Sequence, residues 1–180
     1  AETRGARMAK EKNFADYVAW RLEDNVPRTI RNYQVSNLTG MHNYPPRGAI
    51  PGRWHEIARE RLAGVECVGV VDRYDESMVV FEAALGEVFP GVDLAYVRQN
   101  VTQADGRQTV EERVARTLDD LGPLADAAVA ANAIDLDLYE AANRKLDTAL
   151  AALDDRDARL ADFRARCERL QSPFARTKKR

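Results

Sequence analysis

The stretch Cys67–Leu85, CVGVVDRYDESMVVFEAAL, constrains the fold more than any other. It sits on the unbroken, valine-rich run Val65–Val71, which predicts a buried β-strand. Asp72 ends the run. Asp72 or Asp75 is then placed to N-cap a helix that carries Met78, Phe81 and Leu85 on a broad apolar face. A strand that is apolar on both faces needs cover on both. A second short strand is expected at Leu94–Val97. Two strands do not make a full parallel sheet, so the expectation is an α/β fold, helix-rich here, with few parallel strands and the missing ones upstream of Ala1. The chain opens in AETRGARMAKEKN without an initial Met, which fits that expectation of truncation.

The remaining pattern is helical. Phe14, Tyr17, Val18 and Leu22 recur at helical spacing behind Asn13, a candidate N-cap, and Pro27 ends or kinks the element. Ile30–Leu38 is ambiguous and reads as a helix closed by Gly40. Three prolines and two glycines fall between His42 and Arg53, which makes MHNYPPRGAIPGRW a loop. Trp54–Leu62 is a short helix stopped by Gly64. A helix is expected from about Thr109, with Glu111 and Glu112 favoured by the dipole of its first turn. Ala125–Asn132 is an alanine-rich helix. The last helix is expected to be long, with Tyr139, Ala142, Leu146, Ala149, Leu153, Leu160, Phe163, Cys167 and Leu170 at 3–4 spacing, interrupted only at Arg156. Length predicts one domain over residues 1–171, followed by a basic tail at 172–180.

Composition narrows the function classes. Hydrophobic residues are 45% and charged residues 31%, a globular balance. With 27 basic and 29 acidic residues, nothing argues for bulk affinity for nucleic acid. No apolar run approaches the roughly 18 residues that span a bilayer, and no signal peptide is expected before the domain. Cys67 and Cys167 lie in apolar settings without metal-ligand spacing, so no metal site is expected, and a reducing, cytoplasmic compartment is. In that setting the acceptor patterns Asn37-Leu38-Thr39 and Asn100-Val101-Thr102 are chance matches to the glycosylation signal.

Four pieces of the sequence together resemble the sulfotransferase family 2 domain, the group related to heparan sulfate 2-O-sulfotransferases. VGVVDRYDESMVVFEAAL is similar to its strand-to-helix segment, NYQVSNLTG (Asn32–Gly40) to its Asn-x-Gln segment, VRQNVTQ (Val97–Gln103) to its strand ending in Asn-x-Ser/Thr, and AIDLDLYEAANRKLD (Ala133–Asp147) to its closing helix. They occur in the family's order over about residues 30–147. The resemblance implies a P-loop-type α/β fold, of which this chain is the C-terminal part. It also implies transfer of a sulfuryl group from 3′-phosphoadenylyl sulfate (PAPS) to a hydroxyl of a carbohydrate-like or small acceptor. By resemblance, Asn100, Thr102, Arg107 and Thr109 would close over the adenosine bisphosphate. An Arg and a Thr at a helix start suit phosphate.

The sequence departs from the family at the phosphate loop. Its one lookalike, Gly64-x-x-x-x-Gly69, is followed by Val70-Val71 where Lys and Ser/Thr are needed. The catalytic base is therefore expected before Ala1, and this portion alone is expected to be inactive. His42 and Arg53 mark a candidate acceptor-binding loop. His55, beside Trp54, reads as a packing or capping residue. Arg73 is expected to pair with Asp75 or Glu76. The rival reading is a non-enzymatic helical interaction module that works through the last helix, with a homo-oligomer through that helix as one form of it. A nucleotide-binding domain of the same fold with other chemistry, such as a kinase, is the third.

Overall fold

In the computed structural model, residues 2–41, 50–98 and 108–171 are described. They form helices α1 (Arg4–Glu11), α2 (Phe14–Leu22), α3 (Tyr33–Leu38), α4 (Gly52–Gly64), α5 (Tyr74–Gly86), α6 (Val110–Leu121), α7 (Ala125–Ala130), α8 (Ala133–Ala151) and α9 (Arg156–Gln171), with short 3₁₀ turns at Val71–Arg73 and Gly122–Leu124. The residues gather into two compact units, one of Ala1–Gly64 with Gln108–Tyr139 and one of Val65–Arg107 with Glu140–Arg180.

The expected α/β, P-loop-type fold is not adopted: among the described residues there is no strand and no sheet. Val65–Val70 is irregular, and Val71 already belongs to a 3₁₀ turn. Val70 shows why the run does without a sheet. Its backbone is extended (φ −115°, ψ 124°). The Val70 N–H donates to Ser77 Oγ at 2.9 Å, a side chain of α5 in place of a strand neighbour. Ser77 in turn lies within donating reach of the Arg73 carbonyl (2.8 Å) and the Val70 carbonyl (3.2 Å). The Val70 side chain packs with Val80 of α5 and with Leu146 and Leu150 of α8. Apolar cover comes from helices on one side only, and Val71 is 84% exposed. Gly69 allows the close approach, since a Cβ there would stand 3.2 Å from the Phe81 ring.

Leu94–Val97 is likewise not a strand. The segment lies against α9 and α5, where Leu94, Ala95 and Tyr96 pack on a core of Val79, Phe163 and Cys167. Side chains again satisfy its backbone. The Leu94 N–H donates to Glu82 Oε1 (2.8 Å), the Ala95 N–H to Asp93 Oδ1 (3.0 Å), and the Tyr96 N–H to Cys167 Sγ (3.4 Å). Extended apolar segments form ladders only when a second segment is in reach.

The expected single long last helix is two. α8 ends at Ala151 and α9 starts at Arg156, with Asp155 between them in the left-handed region at φ 53°. The break turns Phe163 and Cys167 onto Val79 of α5.

The first unit keeps more of its local code. Asn13 N-caps α2, its Oδ1 accepting from the Asp16 N–H at 2.8 Å. Gly40, at φ 71°, follows α3, which begins later than expected, at Tyr33. The α3 and α8 N-termini cap each other. Asn32 Oδ1 accepts the Ile134 and Asp135 N–H groups at 3.1 Å each, and the Asp135 carboxylate accepts those of Gln34 (2.7 Å) and Val35 (2.9 Å). Each helix start thus receives the oxygen acceptors its free N–H groups need. Buried Arg31 donates to the carbonyls of Leu22, Glu23 and Val26, fixing the turn after α2. The guanidinium groups of Arg4 (5.5 Å) and Arg21 (4.6 Å) both lie over the Trp20 ring.

Candidate functional site

The residues singled out at the strand-to-helix joint are brought together, and they bind one another. The guanidinium of Arg73 donates from Nε to Glu76 (2.6 Å) and from Nη1 to Asp147 (2.6 Å) and Asn143 (3.3 Å). The bonds to the two carboxylates, first the one to Glu76 and then the one to Asp147, raise its pKa further. Asp75 turns the other way: Tyr96 Oη donates to it at 2.8 Å and Arg164 Nε at 3.3 Å. Arg73, not an Asp, occupies the N-cap position of α5, and it makes no side-chain cap bond. The charged cluster thus fastens α5 to α8 and α9.

A second hub does the same at the far end of α5. Arg166 of α9 reaches Glu82 with both Nη atoms (2.8 and 2.6 Å), Asp162 with Nε (2.9 Å), and Asp93. These carboxylates, Glu82 foremost, push its pKa up. Asp93 is held below the ordinary carboxylate range first by the Ala95 N–H and then by Arg166. Burial raises the Tyr96 phenol above its usual value.

In the first unit His55 and Arg59, one turn apart on α4, both grip Asp137 of α8. His55 Nε2 lies 2.6 Å from Asp137 Oδ2, and Arg59 Nη1 donates to both oxygens at 2.9 and 3.0 Å. The bond from His55 is the main reason the Asp137 carboxyl titrates below its ordinary range. A His–Asp pair is how many enzymes orient a base. Here, however, the third member is an arginine bound to the same carboxylate, and no hydroxyl or thiol nucleophile is placed beside the ring among the described contacts. Sequence reasoning took His55 for a packing or capping residue. Asp137 was missed, since only the fold brings it across 82 positions.

The sequence-predicted site residues separate. Thr109 N-caps α6 in a capping box: its Oγ1 accepts the Glu112 N–H (3.2 Å), while Glu112 Oε2 accepts the Thr109 N–H (2.9 Å). Arg53 is the second residue of α4 and is exposed. Asn100, Thr102, Arg107 and His42 lie outside the described residues. Thr39 of the first glycosylation pattern is buried and donates to the Val35 and Ser36 carbonyls. A cavity of about 410 Å³ at the α8–α9 turn is lined by Leu150, Ala151, Leu153, Asp155, Arg156, Asp157 and Ala158, with no histidine, hydroxyl or thiol. Among the described residues no group of three or more His, Cys, Asp or Glu is placed to hold a metal ion, and no helix is long and apolar enough to cross a membrane.

The second unit also holds several large apolar side chains out to water. Val71 precedes α5, and Val88 and Phe89 follow it at 69% and 60% exposure. These last two are not loose: their N–H groups bond the Leu85 carbonyl at 3.0 and 2.7 Å, and Leu85 is itself exposed. No protein-family model, curated protein or solved structure matches the chain.

Proposed function

We propose that this chain is a helical interaction module, not an enzyme in its own right, and that it works through apolar side chains displayed at the ends of α5. The carrying observation is the Leu85–Phe89 turn, which fixes Val88 and Phe89 outward on hydrogen-bonded backbone. Neighbouring large apolar residues held out to solvent mark association surfaces. The candidate polar sites point the same way, because their charges are spent on internal ties.

Sulfuryl transfer from PAPS has less support. It leans on Asn100, Thr102 and Arg107, and on Thr109, whose hydroxyl is committed to the capping box.

Two measurements test the proposal. A Val88→Ser, Phe89→Ser double variant should melt at the wild-type temperature yet bind less of an apolar fluorescent dye. Calorimetry with adenosine 3′,5′-bisphosphate should give no heat of binding. A large fall in melting temperature would show that the turn is core, and saturable bisphosphate binding would restore the nucleotide reading.

A further inference from the structure

Helices α1 and α2 carry positive charge that the fold leaves unused. Residues 4–22 hold five Lys/Arg against two Asp/Glu. Lys10 is held by Glu2. Arg4, Arg7 and Arg21 pair with no carboxylate among the described residues. Arg73 and Arg166, by contrast, each hold two carboxylates or more. Aromatic rings seat two of the three free cations. Arg4 lies over Trp20, and Arg21 over both Trp20 and Tyr17 (5.2 Å), with its Nε donating to Tyr17 Oη at 2.9 Å. A Cβ on Gly5 would collide with Arg21 Nη2, so that guanidinium rests against the α1 backbone. Arg7 is exposed, one turn beyond Arg4 on the same face of α1. On α2, Phe14, Tyr17 and Arg21 share a stripe at i, i+3 and i+7, and Phe14 is half exposed.

We propose that this face docks an acidic peptide segment of a partner protein, with carboxylates against Arg4, Arg7 and Arg21 and an apolar side chain against Phe14. The site goes beyond the interaction reading above: it lies in the other compact unit from the Leu85–Phe89 turn and needs nothing of it. Charge selects the occupant. Three cations without a counter-charge call for several negative groups, and planar guanidinium forks match carboxylates. Shape selects it further. From Phe14 to Arg21 the α2 stripe runs about 10 Å, too far for one compact anion and about the span of three extended residues. The aromatic member of the row asks for an apolar neighbour, which a peptide supplies and an inorganic anion does not. The ring contacts already hold Arg4 and Arg21 in place, so binding costs these side chains less rotamer freedom.

The test uses the whole chain and a fluorescein-labelled peptide, EDLEEFDE, followed by fluorescence anisotropy at low ionic strength. Wild type should bind it saturably, and added salt should weaken the complex. A triple variant, Arg4→Ala, Arg7→Ala, Arg21→Ala, should bind about tenfold or more weakly. Arg7→Glu alone should also weaken binding, and it cannot act through folding, since the Arg7 side chain holds no partner among the described residues. Gly5→Ala should keep or raise the melting temperature, as alanine does within a helix, yet weaken the peptide by pushing Arg21 off its seat. The Val88→Ser, Phe89→Ser variant should bind the peptide like wild type, which separates this face from the turn. Absence of binding to wild type overturns the proposal, and so does wild-type affinity in the triple variant, in Arg7→Glu or in Gly5→Ala. Equal binding of the basic peptide KKLKKFKK overturns it as non-specific. Displacement by adenosine 3′,5′-bisphosphate overturns it in favour of a compact anion, and loss of binding in the Val88→Ser, Phe89→Ser variant moves the site to the turn.

Discussion

Two apolar segments of the second unit, Val65–Val70 and Leu94–Val97, have nearly the same sequence character and opposite fates. Around Leu94 each successive N–H finds a side chain: Glu82, Asp93, then the Cys167 sulfur. Around Cys67 none does until Val70 meets Ser77. The difference lies in the neighbours. α5 and α9 carry acceptors where the second segment passes, whereas the first meets only the Ser77 hydroxyl. Lone strand-like runs are thus kept in a helical protein by side-chain acceptors, one residue at a time, and a run that lacks them stays open.

The comparison can be broken at three depths. The deepest cut is Phe163→Ala. Phe163 is fully buried where Val79 and the Leu94–Tyr96 segment meet, so the variant should lose about 3–5 kcal/mol in urea unfolding. A loss under 1 kcal/mol would mean that the segment is not seated there.

The middle cut compares acceptors. Ser77→Ala orphans the buried Val70 N–H and should cost about 1–3 kcal/mol. Glu82→Gln keeps a carbonyl for the Leu94 N–H but weakens the tie to Arg166, so it should cost less and leave Leu94 exchange slow. Equal costs would show that charge, not the backbone acceptor, holds the segment.

The smallest effect is a control in the first unit. Asp137 is held below its ordinary range, so the unfolded chain binds that proton more readily than the folded one. The tie then stabilises above the ordinary carboxylate range and is lost as pH falls through the lower folded value. Asp137→Asn should remove about 0.5 kcal/mol of stability above the ordinary carboxylate range and flatten the acid-side slope, as part-exposed pairs do, without touching either apolar segment. Thermal melts across the acid range would show an unchanged slope if the pair were idle.

Much of the local structure was legible. Asn13 and Gly40 carry their instructions in their own chemistry, as a capping amide and a residue free to take positive φ, whereas Thr109, which the resemblance gave to the cofactor, caps α6. The Glu76 partner of Arg73 was legible because it lies only three residues along the chain. The His55–Asp137 pair was not, since nothing local joins α4 to α8. Val65–Val71 misled because strand propensity reports a fit to a pleated, half-buried surface, and here no second strand lies beside it.

By itself, then, the sequence determined some helix ends, the start of α2 at Asn13 and the stops at Gly40 and Gly64 among them, and one longer-range property. Residues 1–64 hold eleven Lys/Arg against seven Asp/Glu, and residues 108–139 hold two against seven; residues 65–107 hold three against eight, and residues 140–180 eleven against seven. Each compact unit joins one basic and one acidic stretch, and pairs such as Arg59–Asp137 and Arg166–Glu82 cross between them. Only the tertiary structure decided which carboxylate meets which guanidinium, and that the valine run would lie against helices and not in a sheet. Propensity and capping act within a few residues of chain, whereas a ladder or an ion pair across 80 positions exists only once packing has placed its second half.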